Sequence, residues 1–331
     1  MKKFLVPFLK ITIPLGLGFF LIWMVYKDLT PKDIKDIKLA FSQTNYLFII
    51  LSACFGILSH ASRAWRWRYP LKELGYTPHF LNSFYTVMIG YFANMGIPRS
   101  GEIMRCGLMA KYEDIPFNKL VGTVIAERVA DLIILMSFIL ITVFLQFEKL
   151  SNYLIKNGIM EKFSLSKLII FGVLALVGCV IGIIVLKRSN HPIMLKISGF
   201  LQGILEGLKT IITMKDKWLF IGHTIFIWFM YFVMFYVTFF SLPSIENVPL
   251  SGIFTAFVIG GISITVTNGG IGAYPLGIAS VLLLYGVAES TGYAFGWAVW
   301  TGQTLMLVLL GLISAVLLPR FNKKRVEQFK F

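Results

Sequence analysis

Six charged residues form two groups, and the spacing within each group places its members on one face of a helix. They are Arg99, Glu102, Arg105, Glu127, Arg128 and Asp131. Arginine binds phosphate through two parallel hydrogen bonds, and a neighbouring carboxylate can balance that charge or carry a proton. The pattern therefore predicts either a site for an anionic group or ion pairs that hold two helices together.

Two glycine-rich segments interrupt the apolar runs. One lies next to the first charged group, and the other lies in the second half of the chain. Asn94-Met95-Gly96-Ile97 and Asn268-Gly269-Gly270-Ile271 share the pattern Asn-x-Gly-Ile. Interrupted apolar segments in corresponding halves of a chain are typical of a transporter's binding site. We include Asn94 and Asn268 among the candidate binding residues. Tyr274, beside the second interruption, either shapes a gate or marks an ordinary kink.

The composition indicates an all-α integral membrane protein. Of 331 residues, 57% are hydrophobic and 14% are charged, and the mean hydropathy is +0.77. The apolar runs are continuous and about 20 residues long, which fits helical spans and not the short alternating segments of a membrane β-barrel. We expect a polytopic bundle of about eight transmembrane segments in one membrane domain, 1–331.

The predicted spans cover most of the chain. They are 7–26, 46–64, 120–147, 168–186, 218–242 and 293–318. The segments 80–110 and 250–287 are predicted to be broken or re-entrant hairpins, the second alternatively two shortened spans. The mixed Lys and Asp of 27–38 favour a solvated loop, and 187–217 is predicted to be an amphipathic helix on the cytoplasmic surface. Pro319 is expected to end the last helix.

The net charge of +15 does not predict nucleic-acid binding, because the basic residues cluster at the ends of apolar runs. Cytoplasmic loops of membrane proteins carry such an excess. We therefore predict a multi-pass protein of the inner (plasma) membrane with both termini cytoplasmic. This orientation requires 80–108 to enter and leave on the cytoplasmic side. Arg63, Arg66 and Arg68 are interpreted as a collar in the headgroup layer.

No cofactor or metal is predicted. The chain has no phosphate loop, dinucleotide fingerprint, nucleophile elbow or zinc-protease motif, and its four histidines have no metal-ligand spacing. Direct use of ATP is not expected. If transport is uphill, an ion gradient remains as the energy source, with Glu102, Glu127 or Asp131 carrying a proton.

Several of these motifs together resemble a known family. They are Asn94, Pro98-Arg99-Ser100-Gly101-Glu102, Arg105, Glu127-Arg128 with Asp131, and Gly269-Gly270-Ile271-Gly272. Their order and spacing resemble the flippase-like membrane domain of lysylphosphatidylglycerol synthases, the multiple peptide resistance factor, and its stand-alone relatives. The resemblance implies translocation of an aminoacylated phospholipid between leaflets.

Two features limit what the resemblance implies. Because the chain ends at Phe331, the soluble synthase domain is not expected, and neither is synthesis of the lipid. Ala273-Tyr274-Pro275-Leu276 stands where family members often have an Arg-Glu pair, which leaves the headgroup open.

Three functions are compatible with the sequence. The leading hypothesis is a lipid flippase or lipid-linked transporter whose polar groove passes a phospholipid or polyprenyl-type headgroup while the chains stay in the bilayer. The alternatives are a membrane-embedded transferase acting on a lipid phosphate and a non-catalytic membrane partner. Expected partners are membrane lipids, with a second copy of the chain or a separate lipid-modifying enzyme as further possibilities.

Overall fold

The computed structural model describes residues 30–97, 100–147, 208–267 and 269–328, with a few positions between 20 and 27. Side chains are described as far as residue 323. The chain divides into two compact units: Met1–Val124 with Met214–Phe331, and Ile125–Thr213. Regular structure in the described ranges is helical, which confirms the predicted all-α class.

Ten α-helices follow one another in the described ranges. They are α1 (Pro31–Gln43), α2 (Tyr46–Arg66), α3 (Arg68–Glu73), α4 (Phe80–Gly96), α5 (Gly101–Glu113), α6 (Phe117–Leu145), α7 (Lys217–Thr238), α8 (Leu250–Val266), α9 (Ala273–Leu283) and α10 (Glu289–Gln328). Single 3-10 turns at Phe239–Ser241 and Pro243–Ile245 continue α7.

Four described stretches are long and apolar enough to cross a membrane: Tyr46–Glu73, Phe117–Leu145, Lys217–Ser241 and Glu289–Lys323. The helices α8 and α9 are apolar but shorter. The predicted span 168–186, most of the span 7–26, and residues 187–207 of the amphipathic segment lie outside the described residues. The chain is a multi-pass membrane protein.

The helices α2 and α7 form an antiparallel pair in the first unit. At one end the Asn45 amide donates to the Ser241 carbonyl at 2.7 Å. At the other end Lys72 Nζ lies 2.7 Å from Asp216 Oδ2. Between them Gly56 is in close contact with Met234, because a Cβ added there would lie 2.8 Å from the Met234 sulfur.

Helices α4 and α5 form the first helical hairpin. A Cβ atom at Gly101 would overlap the Gly90 carbonyl oxygen, so the two backbones touch close to the turn. At the open end Glu113 Oε1 accepts hydrogen bonds from the Asn82 side chain and the His79 amide. Small residues at such contacts let helices approach closely in membranes.

Helices α8 and α9 form a second antiparallel hairpin. Gly260 is packed against Tyr274, with 2.8 Å from an added Cβ to the ring. Ser263 lies the same distance from a Cβ added at Gly277. Re-entry of either hairpin into the membrane stays a prediction.

The expectation that the last helix ends at Pro319 is wrong, since α10 continues to Gln328 with this proline inside it. Asn322 explains the continuation. Its amide donates to the Leu318 carbonyl at 2.8 Å and exchanges two hydrogen bonds with Asn82 at 2.8 and 3.0 Å. These bonds offset the one that a proline cannot donate.

The segment 27–38 is not a loop throughout, because α1 begins at Pro31. Thr30 and Asp33 form a capping box in which the Thr30 amide donates to Asp33 Oδ2 at 2.8 Å and Thr30 Oγ1 accepts from the Asp33 amide at 3.2 Å. Proline at the first helical position is preset for a helix. The cap and the buried Ala40 overcome the high charge of the segment.

Candidate functional site

The first hairpin turn is held by Asn94. Its side-chain Oδ1 accepts a hydrogen bond from the Gly101 amide at 2.7 Å, and Ser100 Oγ donates to the Ile97 carbonyl at 2.7 Å. An unpaired amide at a helix N-terminus is costly in lipid. Asn94 therefore has a structural role at this turn, besides its predicted place in a binding site.

Arg105 is buried one turn further along α5. Only 4% of the residue is exposed, and its guanidinium carbon lies 4.0 Å from the centroid of the Trp67 ring. Trp67 is itself fully buried and donates from Nε1 to Thr123 Oγ1 at 2.8 Å. Stacking on an indole face stabilises a guanidinium and fixes its plane.

The other members of the first charged group are only partly described. Glu102 is half-buried and lies one turn before Arg105 on α5, so the two side chains share a helix face as their spacing predicts. Arg99 and Asn268 lie outside the described residues, so their predicted roles stay predictions.

Two further arginines of this unit are buried, which the sequence interpretation missed. Arg63 is 3% exposed and Arg66 is fully buried. Arg66 Nη1 donates to Thr224 Oγ1 at 2.9 Å, and its guanidinium lies 5.2 Å from the Phe220 ring. The surface-collar interpretation is wrong for these two residues, whereas Arg68 is exposed.

A spacing signal in α2 could have identified them. Ser59, Ser62, Arg63 and Arg66 recur every three or four residues, so they share one helix face, and all are buried. Their position beside the charged end of the segment instead favoured the collar interpretation. A polar stripe on an apolar helix is the stronger signal, since it predicts a face turned away from lipid.

Aromatic and imidazole groups extend the polar stripe. His60 is 4% exposed, with its ring centroid 4.6 Å from that of Tyr91 and 5.9 Å from that of Tyr231. The two tyrosine hydroxyl groups lie 3.4 Å apart. No role was predicted for the histidines, because the residues around His60 come from separate helices.

The second charged group lies in the other unit. Glu127 is fully buried and Asp131 is 7% exposed. Arg128 Nη1 lies 3.9 Å from Asp131 Oδ2, and its side chain is 44% exposed. Arg128 and Asp131 therefore form an ion pair within α6, and the predicted pairing of two helices stays a prediction.

The second hairpin turn contributes backbone and aromatic groups. Gly269, Gly270 and Gly272 have φ values of 67°, 85° and 71°, a region that favours glycine. The Trp300 indole donates to the Gly269 carbonyl at 2.7 Å. Tyr274 is 3% exposed and is packed against Gly260, so its position is that of a core residue of the hairpin.

The first unit thus buries three guanidinium groups, those of Arg63 and Arg66 on α2, which is long and apolar enough to cross a membrane, and that of Arg105 on α5. Each would cost about 2.5 to 3.5 kcal/mol at the centre of a bilayer if left in lipid. Such groups are held where protein or a cavity surrounds them, and their chemistry suits phosphate or carboxylate. Among the described residues, no group of three His, Cys, Asp or Glu side chains is placed to hold a metal ion.

These features define a multi-pass helical membrane protein with buried cationic side chains. The family model for the transmembrane region of lysylphosphatidylglycerol synthase matches residues 11–311. The chain belongs to this family, as the resemblance predicted.

One curated relative gives a partial match. A UPF0104 membrane protein of Methanocaldococcus jannaschii is 34% identical over 134 residues, which is 39% of this chain and 40% of the relative. The match therefore spans less than half of that protein. No solved structure matches the chain.

Proposed function

We propose that this protein moves a phosphate-bearing membrane lipid between leaflets, with the headgroup passing the buried arginines of the first unit while the chains stay in the bilayer. The observation that carries the proposal is the burial of the Arg63, Arg66 and Arg105 side chains. A guanidinium group binds phosphate through paired hydrogen bonds, so these side chains suit the headgroup of an anionic lipid.

The family adds support for a lipid. Its description names lysylphosphatidylglycerol synthase. The lipid lysylphosphatidylglycerol carries a phosphodiester and the ammonium groups of its lysine. Arginine suits the phosphodiester, and the half-buried Glu102 suits an ammonium group. A separate lipid-modifying enzyme would supply an aminoacylated substrate, and the plasma membrane is the proposed location.

Arg105 is the sharpest test position, because Trp67 fixes the plane of its guanidinium. Arg105→Gln removes the charge and keeps a polar, though shorter, side chain. Since a hydrogen bond to a charged group contributes about 1.5 to 3 kcal/mol, we expect translocation to slow by about ten- to hundredfold. Arg105→Lys keeps the charge without the planar fork and should lie between wild type and Arg105→Gln.

The measurement is a proteoliposome assay with fluorescent phosphatidylglycerol, aminoacylated phosphatidylglycerol or polyprenyl phosphate, in which dithionite reports the outer leaflet. Arg320→Gln is the matched control, because Arg320 is exposed on α10. Equal rates in Arg105→Gln and Arg320→Gln would contradict the proposal. Chemical conversion of a lipid without movement would favour a transferase. Thermal unfolding of each variant separates lost transport from lost fold.

A further inference from the structure

We infer that a groove on the first unit, between α2 and α7, binds one acyl chain of an anionic phospholipid as a resident lipid. The groove has a volume of about 550 Å³ and is lined mainly by apolar and aromatic side chains. Its walls include Leu58, Trp65, Phe80, Trp218 and Phe226. The volume falls within the range of about 300 to 1,000 Å³ that is usual for ligand pockets.

The shape of the groove follows from residue spacing. Leu58 and Trp65 are seven apart and share a face of α2, while Trp218 and Phe226 are eight apart and share a face of α7. Gly222 lies between them, and a Cβ added there would meet nothing within 4 Å. The missing side chain leaves a channel between two spans, where the surrounding solvent is lipid.

Two polar side chains of the groove wall meet, one from each helix. Ser62 Oγ is 2.8 Å from His223 Nδ1, and both residues line the groove. The Tyr69 ring, on α3, lies 5.7 Å from the His223 ring. A polar pair beside an apolar channel matches the ester groups of a phospholipid next to its chains.

Basic residues at the adjoining helix ends select the headgroup. The Arg68 guanidinium lies 5.6 Å from the centroid of Trp65, a wall of the groove. Lys72 is 57% exposed where it meets Asp216, and Lys215 is exposed beside it. Basic pockets between transmembrane helices bind anionic lipid headgroups, and tryptophan favours the same depth. Charge and depth together favour an anionic diacyl lipid.

The groove shares Ser62 with the polar stripe of α2, but none of the three buried arginines of the proposed transport path lines it. Arg66 is fully buried behind the wall, bonded to Thr224, and does not line the groove. The proposed resident lipid would therefore be held whether or not the protein translocates lipid. Loss of one activity leaves the other measurable.

The test is native mass spectrometry of the full chain released from nanodiscs that contain equal phosphatidylglycerol and phosphatidylcholine with identical acyl chains. Wild type should retain one phosphatidylglycerol in preference to phosphatidylcholine. Gly222→Leu fills the channel and should reduce retention about tenfold, since a buried leucine occupies the space of several chain methylenes. Gly261→Leu is the matched control, because this helical glycine also faces open space.

Arg68→Gln tests the headgroup. The preference for phosphatidylglycerol over phosphatidylcholine should fall about fivefold, while total retained lipid changes less. Equal retention of the two lipids by wild type would overturn the inference. So would equal retention in Gly222→Leu and Gly261→Leu, or occupation by a second copy of the chain.

A second measurement covers the case in which Gly222→Leu does not fold. Brominated phosphatidylglycerol should quench tryptophan fluorescence more than brominated phosphatidylcholine does in wild type. The excess should shrink in Trp218→Phe, which removes the fluorescent indole from the wall of the groove. An excess that is absent, or is unchanged in this variant, would also overturn the inference.

Discussion

The two helical hairpins begin from the same sequence pattern, Asn-x-Gly-Ile, and are closed in different ways. In the first, the Asn94 and Ser100 side chains satisfy backbone groups of the turn. In the second, glycines with positive φ make the turn and Trp300 donates to the Gly269 carbonyl. The first turn is closed by side chains of its own hairpin, and the second by glycine backbone conformation together with a side chain of α10.

The difference extends to charge. Helix α5 carries Glu102 in its first turn and Arg105 one turn later, whereas α9 has the sequence AYPLGIASVLL and no charged residue. The helix N-terminus of the first hairpin also favours negative charge. The proposed recognition of an ionic group therefore rests on the first hairpin and not on the second.

Gly101 provides the largest test of this comparison. Gly101→Ala places a methyl group against the Gly90 carbonyl, and backbone cannot move aside as a side chain can. We expect the free energy of unfolding to fall by about 3 kcal/mol, at the upper end of the usual cost of overpacking. Unfolding in mixed micelles measures it.

Gly107→Ala is the control for that substitution, since Gly107 lies on the same helix and an added Cβ meets nothing within 4 Å. Alanine should be neutral there or stabilise by up to about 1 kcal/mol. Similar losses in both variants would show that α5 is sensitive to any added side chain. The contact between Gly101 and Gly90 would then not explain the loss of stability.

The second turn is tested at Gly269, where φ is 67° and an added Cβ would meet nothing within 4 Å. Gly269→Ala therefore isolates the conformational cost of a left-handed residue, about 1 to 2 kcal/mol. Gly269→Asn should cost less, because asparagine visits this region more readily. Chemical unfolding of both variants gives the two values. Equal costs would argue against a turn made by backbone conformation.

Asn94→Ala should destabilise the protein by about 1 kcal/mol, the usual cost of removing an N-terminal cap. The reason is that the Gly101 amide loses its acceptor. Asn94→Asp keeps an acceptor oxygen and should recover stability in the same unfolding assay. Full loss of transport with unchanged stability in Asn94→Ala would contradict the structural role of Asn94. It would favour the predicted role of Asn94 in substrate binding.

Much of the fold could be predicted from hydropathy. The predicted hairpin 250–287 begins where α8 begins, at Leu250, and the predicted hairpin 80–110 begins where α4 begins, at Phe80. Long apolar runs leave few alternatives once lipid is the solvent. Two errors came from local rules, at Pro319 and in 27–38. In each, a capping or tertiary hydrogen bond from Asn322 or Thr30 decided the outcome.

The candidate site was less predictable. Glu102 and Arg105 follow from their spacing, but the burial of Arg66 depends on Thr224 of another helix. The Trp67 ring beneath Arg105 joins residues far apart in sequence. Such contacts are set by how helices pack, which periodicity does not specify. The stripe through Ser59 was visible, since polar residues repeated on one face of an apolar helix.

The smallest expected effect concerns the cap of α1, where an exposed side chain takes the part that Asn94 plays at the first hairpin turn. Hydrogen bonds from the Thr30 hydroxyl and amide hold the pKa of Asp33 below its ordinary value. The stabilisation from this carboxylate is therefore present above the unfolded value of about 3.9 and is lost as the pH falls through the lower folded value.

Asp33→Asn should thus lower the thermal midpoint slightly at pH 7, with the difference from wild type vanishing in acid. Asp36→Asn is the matched control, because it removes the same charge from the same helix outside the capping box. A midpoint difference that persists below the folded pKa, or one shared by both variants, would mean that net charge and not the cap stabilises α1. If the cap is confirmed, losing the exposed Asp33 bond should cost less than losing the part-buried Asn94 bond, because water can satisfy the groups that the first loss leaves unpaired.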